Sequence, residues 1–442
     1  MTFLRIRNIL RSIAIVCTLA AAIVVVPNLS VFDEAPLPEI SQLLKDHLVN
    51  PDVEGNAYYY LHGMSASSDK NPLQVGKAII HTLQSKHANG ELANLTETEK
   101  AALYGSALNE DDEWQAIMAT TNCIPRKKND CFEQSLAALK NIPYTQARLQ
   151  TQLARYQKVI HFPHFIEDTA RLDYTSPFPS FLLITKMGEL SQTKSYSESG
   201  LDGLISSSQL DMGFWRRVLT DSQTLIGKMV SIASLRRDLD GLNYGIRNAS
   251  ALTEKQIEQL QLILAPLNRE EISMQPMLIG ELRFGVENWR TAPKVIPEGQ
   301  SYLLWTLTQP MATANWHYRQ SLKPALALDQ LSPGEFYEQA QTPTPALTFS
   351  RVNPYNLGGK LSLVKNAKYT DYLGRAHDLA GIYRLLSLQV ELKEIPPADW
   401  PVSIKNSRHK NPYTQKAFDY DAVTRIVSFR CFDPKDQCGI RL

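Results

Sequence analysis

The sequence lacks an excess of either charge. Lys plus Arg number 46 against 45 for Asp plus Glu, a formal +1 over 442 residues. No long-range field is available to draw in nucleic acid, and none is expected as a partner. Arg126-Lys127-Lys128 is too short to grip phosphates, is followed by Asp130, and reads as a solvated loop. The chain also lacks the composition of a disordered protein. Hydrophobic residues make up 43 % and charged residues 21 %, enough to bury a core. No repeat of fixed period is present, which sets aside a solenoid.

Recognisable reaction chemistry is missing as well. Gly-x-Ser-x-Gly, Gly-x-Gly-x-x-Gly, the P-loop and His-Glu-x-x-His are all absent. Gly358-Gly359-Lys360 lacks both the upstream glycine and a following Ser or Thr. Ser-x-x-Lys occurs at Ser67/Lys70, Ser191/Lys194, Ser362/Lys365 and Ser407/Lys410, but the Lys-Thr-Gly and Ser-Asp-Asn partners do not. Glu198-Ser199-Gly200 is like the acid step of lytic transglycosylases. Gly203-Leu204-Ile205-Ser206 follows too soon and has no Gln, so a solvated loop is expected. His161 and His164 are separated by Phe162-Pro163, which breaks helical spacing, and no third ligand accompanies them. No catalytic residue, metal or cofactor is expected.

One long apolar run is present. Arg5, Arg7 and Arg11 precede Ser12 to Val26, which carries no charge. Flanking residues extend the run toward the roughly twenty that a bilayer core requires. Positive charge before the span and Asp33-Glu34 after it place the N-terminus in the cytoplasm and the bulk outside, most simply in the periplasm. A cleaved signal peptide is the rival, with small residues at Leu19-Ala20-Ala21-Ala22, but Ile23 to Val26 lie beyond that point. Cys17, within the run, reads as a buried thiol.

The other cysteines come as close pairs, Cys123 with Cys131 and Cys431 with Cys438. In an oxidising compartment these favour local disulfides over zinc, whose knuckles use other spacings. Ile426 to Arg430 alternates like a strand and Asp433-Pro434-Lys435-Asp436 is turn chemistry, so the second bridge would pin a hairpin.

Elsewhere the pattern is helical. Residues 38–48 open on Pro38 and carry Ile40, Leu43, Leu44, His47 and Leu48 on one face. Residues 72–88 follow Asn71-Pro72, and 97–108 follow Thr96 with acids in the first turn. Between Ser222 and Leu239 an apolar stripe of Leu225, Ile226, Met229, Ile232, Ala233 and Leu235 is expected to face the core, with Lys228, Arg236 and Arg237 elsewhere. Tyr369 to Val390 keeps the same period through Leu373, Ala376, Leu379, Tyr383 and Leu386. Residues 343–356, rich in Pro, Thr and Asn, read as a link.

Some motifs resist reading as filler. Tyr58, Tyr59, Tyr60 and His62 are consecutive enough that at least one ring is expected to leave one core for solvent or a second surface, the plainer alternative being packing against another helix of the same chain. Trp316, His317 and Arg319 could line a groove, the plainer alternative being a packed helix with a solvated arginine. These residues are the candidate partner-binding set. Glu281, Arg283 and Glu287 read as a helix-edge ion pair.

The segments Asn56-Ala57-Tyr58-Tyr59 and Asn411-Pro412-Tyr413-Thr414-Gln415-Lys416-Ala417-Phe418 resemble a family of uncharacterised proteobacterial proteins. That family's members have an N-terminal anchor, a long helical middle and short terminal strands. Gln415 and Ala417 depart from its usual glycine and proline. The resemblance implies an inner-membrane address and brings no activity.

The expected fold is mainly α: an irregular antiparallel helical array after one transmembrane helix, with a small C-terminal β-hairpin. The expected organisation is 1–11 cytoplasmic, 12–29 anchor, 33–342 helical periplasmic domain, and 343–442 a C-terminal helix plus disulfide-pinned hairpin. The expected function is a non-catalytic scaffold that binds an envelope protein. The alternatives are an envelope polymer hydrolase, marked by convergent acids in a pocket, and a carrier of apolar ligands, marked by an apolar cavity between helices.

Overall fold

A computed structural model describes residues 2–46, 50–105, 117–118, 123–124, 127–128, 130–139, 142, 144–169, 172–291, 307–341, 354–363 and 368–442. Helix α1 covers Thr2–Val25, followed by short turns at Val26–Asn28 and Ser30–Phe32. Then come α2 (Pro38–Asp46), α3 (Ala57–His62), α4 (Pro72–Ala88), α5 (Glu97–Tyr104), α6 (Cys131–Leu139) and α7 (Ala147–Val159). The centre is built from α8 (Phe181–Asp221), α9 (Leu225–Asn248), α10 (Glu254–Ile263), α11 (Arg269–Ile272) and α12 (Gln275–Thr291). Helix α13 (Pro310–His317) runs through a π turn into α14 (Lys323–Asp329), followed by α15 (Pro333–Ala340) and α16 (Leu357–Leu363). Helices α17 (Tyr369–Leu392) and α18 (Trp400–Asn406) precede β1 (Asp419–Asp421), β2 (Ile426–Ser428) and β3 (Gly439–Arg441). Helices make up 66 % of the chain and the sheet is small, so the class is mainly α as expected. The terminal hairpin pairs Ile426 with Arg441 and Ser428 with Gly439. Strand β1 adds a third, antiparallel edge to it.

The 19-residue stretch Leu10–Asn28 has mean hydropathy 2.2, and among its described side chains only Asn28, at the far end, is buried. At about 1.5 Å per residue it spans about 28 Å, close to the roughly 30 Å of a hydrocarbon core. The N-terminal helix is thus apolar enough to cross a membrane. Polar residues tie its far end to the body. Asn28 donates to the Pro354 carbonyl at 2.6 Å and accepts from Asn356 N at 2.7 Å. Both oxygens of Asp33 accept from the first amides of α13, at Met311 and Ala312, each at 3.0 Å. A carboxylate there meets free N–H groups and the positive end of the helix dipole.

The tyrosine run sits in the short helix α3, capped by Asn56. That side chain is fully buried and uses its whole hydrogen-bonding capacity. Its Oδ1 accepts from Tyr58 N and Ile166 N, and its Nδ2 donates to the carbonyls of Pro51 and Ile166. One residue therefore starts α3 and clips two loops to it. Helix α4 crosses α3 so closely that a Cβ on Gly76 would fall inside the Tyr59 carbonyl. Buried Arg155 then gathers the carbonyls of Met64, Ala66, Ser67 and Lys70 after α3.

Helices α8 and α9 pack along each other, and α9 packs against α17. Glu198-Ser199-Gly200 is not a loop. It lies within α8, where Gly200 takes φ 57° and kinks the helix. Two buried carboxylates receive the N-terminus of α9. Glu167 accepts from Gln223 N at 2.5 Å and Thr224 N at 2.8 Å, and Glu281 accepts from Leu225 N at 2.7 Å. Glu281 thus serves as a cap, where the sequence suggested an edge ion pair.

The expected orientation of α9 is corrected by its burial. Lys228, Ser231 and Asp238 are fully buried, while Ile226 and Ala233 are exposed and Met229 is half-buried. Lys228 donates to the carbonyls of Leu219 and Glu271, closing the C-terminal end of α8. Much of the polar face points inward, and part of the apolar stripe points out.

Replacing Asn56 by Ala removes the cap and strands buried loop carbonyls and amides. The expected cost is about 3 kcal/mol, read as a shift of the denaturation midpoint. A change within about 0.5 kcal/mol would show that the clasp is dispensable.

Candidate functional site

A cleft of about 210 Å³ opens between α9, α17 and the C-terminal disulfide loop. Met229, Ile232 and Ala233 come from α9 and Leu379 from α17, and Ile124 overhangs from the Cys123–Cys131 loop. Ile232 stays buried, and Met229 and Ala233 are the outward part of the α9 stripe. Sequence reasoning placed them in the core because nothing in their spacing reports which side a polar network will claim.

The third wall is held by α17. Gly374 and Gly381 lie one above the other, two turns apart, and a Cβ on either would strike Phe432 or Phe429. The two rings dock on that bare strip and bring the loop with them. Asp378, between the glycines, accepts from Tyr413 Oη at 2.7 Å and from Phe432 N at 3.0 Å. Cys431 and Cys438 are joined as a disulfide with Cα atoms 5.4 Å apart, and Cys438 lines the cleft. Cys123 and Cys131 are joined likewise, with Cα atoms 5.3 Å apart. The loops meet where Lys127 binds Asp436 at 2.9 Å and the Lys435 carbonyl at 3.0 Å. Lys127 is therefore engaged, unlike the solvated run expected; Arg126 lies outside the described residues. Asp378 approaches both sulfurs of the second pair, but a disulfide offers no thiolate for a metal.

The charges at the rim differ in how they are satisfied. Arg236 donates to the Gln437 carbonyl at 2.5 Å and lies near Asp240, Asp378 and Asp436. Arg375 is less well served. Its Nη1 reaches the Met229 thioether at 3.7 Å, its guanidinium stands 4.9 Å from the Tyr372 ring, and its Nε is buried with no acceptor. Burial pushes Asp378 up to about 7, against the pull of Tyr413, Phe432 N and Arg236.

The residues singled out in the sequence lie elsewhere. Tyr58, Tyr59, Tyr60 and His62 are all buried, which corrects the expectation that a ring would reach a second surface. Tyr59 bonds Asp168 at 3.0 Å, Tyr60 packs on Phe162, and Tyr58 packs on His62 and Phe165. Burial pushes the His62 imidazole down to about 3. His317 is also buried and meets Tyr369 Oη at 3.2 Å, Trp316 is half-buried, and Arg319 is exposed. Neither set forms a docking face with the cleft.

Two other grooves bear on catalysis. One, of about 710 Å³, holds His409 and Glu391. Glu391 accepts from both Ser407 and His409, so the acid, not the imidazole, sits beside the hydroxyl. A nucleophilic triad needs the reverse order. Another, of about 650 Å³, holds Asp221, Glu270 and His164. Burial raises Asp221, opposed first by His164. Both carboxylates nevertheless face water, unlike a desolvated glycosidic acid. Comparison with protein families, with curated proteins and with solved structures returns no match.

Asp378 gives the site a pH signature. An acid held above its unfolded value weakens the fold as it ionises, so this contribution is lost as pH rises from about 4 to about 7. Asp378→Asn removes that loss. Its folding equilibrium relative to the parent is expected to improve by at least about tenfold between roughly pH 5 and pH 8. A pH-independent difference in chemical denaturation would contradict the assignment.

Proposed function

We propose that the chain is a membrane-tethered envelope protein whose helical body holds a small amphipathic anion in the cleft between α9 and α17. The reading keeps the non-catalytic character expected from the sequence and takes the carrier in preference to the scaffold. The observation that carries it is Arg375, a guanidinium lining the cleft beside apolar walls, whose partners are a thioether and an aromatic ring and no oxygen acceptor. Such a group gains a charge-assisted hydrogen bond when a carboxylate or phosphate enters, and the walls gain contact with the rest of the molecule. The burial of the tyrosine cluster weakens the case for a protein partner at α3. The apolar N-terminal helix and the paired cysteines support an inner-membrane anchor with the body in the periplasm.

The test uses the full chain in lipid nanodiscs and a fluorescent medium-chain carboxylate, with empty discs as background. Saturable binding is expected, and Arg375→Met is expected to weaken it by about tenfold or more. Arg375→Lys retains charge without the fork and is expected to fall between. Absence of saturable binding, or equal binding by Arg375→Met, would remove the proposal.

A further inference from the structure

The 210 Å³ cleft does not end at Ala233. A second cleft of about 400 Å³ lies between α6, α8 and α9, and Ile124 and Ala233 line both. Ala233 is exposed, so the floor between the clefts carries a methyl group only. Ile124, 54 % exposed, stands over it, fixed by the neighbouring Cys123–Cys131 bridge.

The second cleft is walled by Met118, Phe132, Phe181, Leu182 and Val230. Its polar floor is internally paired. Lys186 and Ser135 bind Glu189 at 3.0 and 2.5 Å, and Arg237 is held by Asp211 and Asp238. A ligand part lying there is offered apolar contact and no free charge. Leu182, 75 % exposed at the rim, is apolar surface that such a part would cover. The other charges of the first cleft, Arg236 with Asp378 and Asp436, offset one another, so polarity runs from the under-satisfied guanidinium at one end to apolar walls over paired charges at the other.

Building on the proposed cleft, we infer that its ligand is a long-chain acyl or alkyl anion with one acidic head. The acidic head meets Arg375, and the tail passes over Ala233 beneath Ile124 into the second cleft. A short chain would fill the first cleft alone. The head can be a carboxylate or a phosphate monoester, since a guanidinium pairs with either.

The experiment is photolabelling of the full chain in nanodiscs with probes bearing a diazirine at the tail end. The probes are carboxylates of roughly eight and roughly sixteen carbons, with an alkyl phosphate of the longer length alongside. Labelling of α1 reports partition into lipid and serves as background. The short probe is expected to mark peptides holding Met229 and Leu379. The long probes are expected to mark those holding Phe132 and Leu182, and the stronger of the two head groups names the source. Val230→Trp, which fills the second cleft and does not line the first, is expected to cut long-chain labelling of the second cleft by about tenfold while short-chain labelling persists, which also shows the variant is folded. If short and long probes mark the first cleft identically, the extended ligand is wrong and the cleft reading survives. If no probe marks either cleft above background, both fall.

Discussion

Arg237 is a cation that the helical core has to accommodate, and the way it does so orients everything around it. Its guanidinium donates to Asp211 on α8 at 2.5 Å, to Asp238 on its own helix at 2.7 Å, and to the Thr185 carbonyl at 2.5 Å. Tyr156 from α7 donates to Asp211, and Gln192 from α8 donates to the same Asp238 oxygen that Arg237 binds, leaving Asp238 Oδ2 buried without a partner. Burial and the nearby Asp211 hold Asp238 well above the usual carboxylate range. Such a cluster contributes little net stability over an apolar replacement, but breaking it in place costs about 3–5 kcal/mol. Its value is geometric. Rotating α9 would strand a charge, so the helix has one setting against α8.

That setting explains the clefts. Once Lys228, Ser231 and Asp238 are committed inward, Met229 and Ala233 cannot also face α8. They line the outer side, where α17 and the disulfide loops approach without filling the space. The C-terminal clamp completes the enclosure. Aromatic rings on bare glycine backbone, an aspartate bound to a tyrosine hydroxyl and an amide, and a bridge across the turn hold one wall in place. The binding proposal follows from two constraints meeting: a polar brace that turns an apolar stripe outward, and a clamp that roofs it incompletely.

The sequence was informative where one principle acted alone. Asn71-Pro72 and Thr96 opened helices where expected, α17 kept its apolar face inward, and the cysteine pairs and terminal hairpin formed as read. It was uninformative where competing demands were settled over distance. Nothing local marks Asn56 as a clasp, because its bonds to Ile166 join residues 110 positions apart. The tyrosines looked too many for one core because their cover comes from the 162–168 segment and α4. Arg375 and Asp378 carried no motif at all. Their standing comes from Met229, Tyr413 and Phe432, which no local pattern connects to them.

The most direct test of the brace is amide hydrogen exchange on the full chain with Arg237→Met, read by mass spectrometry. The account expects faster exchange across residues 181–248, where the setting of α8 against α9 is lost, with 57–88 protected as in the parent. Unchanged protection across both long helices would contradict it, because α9 would then hold its orientation without the buried cation.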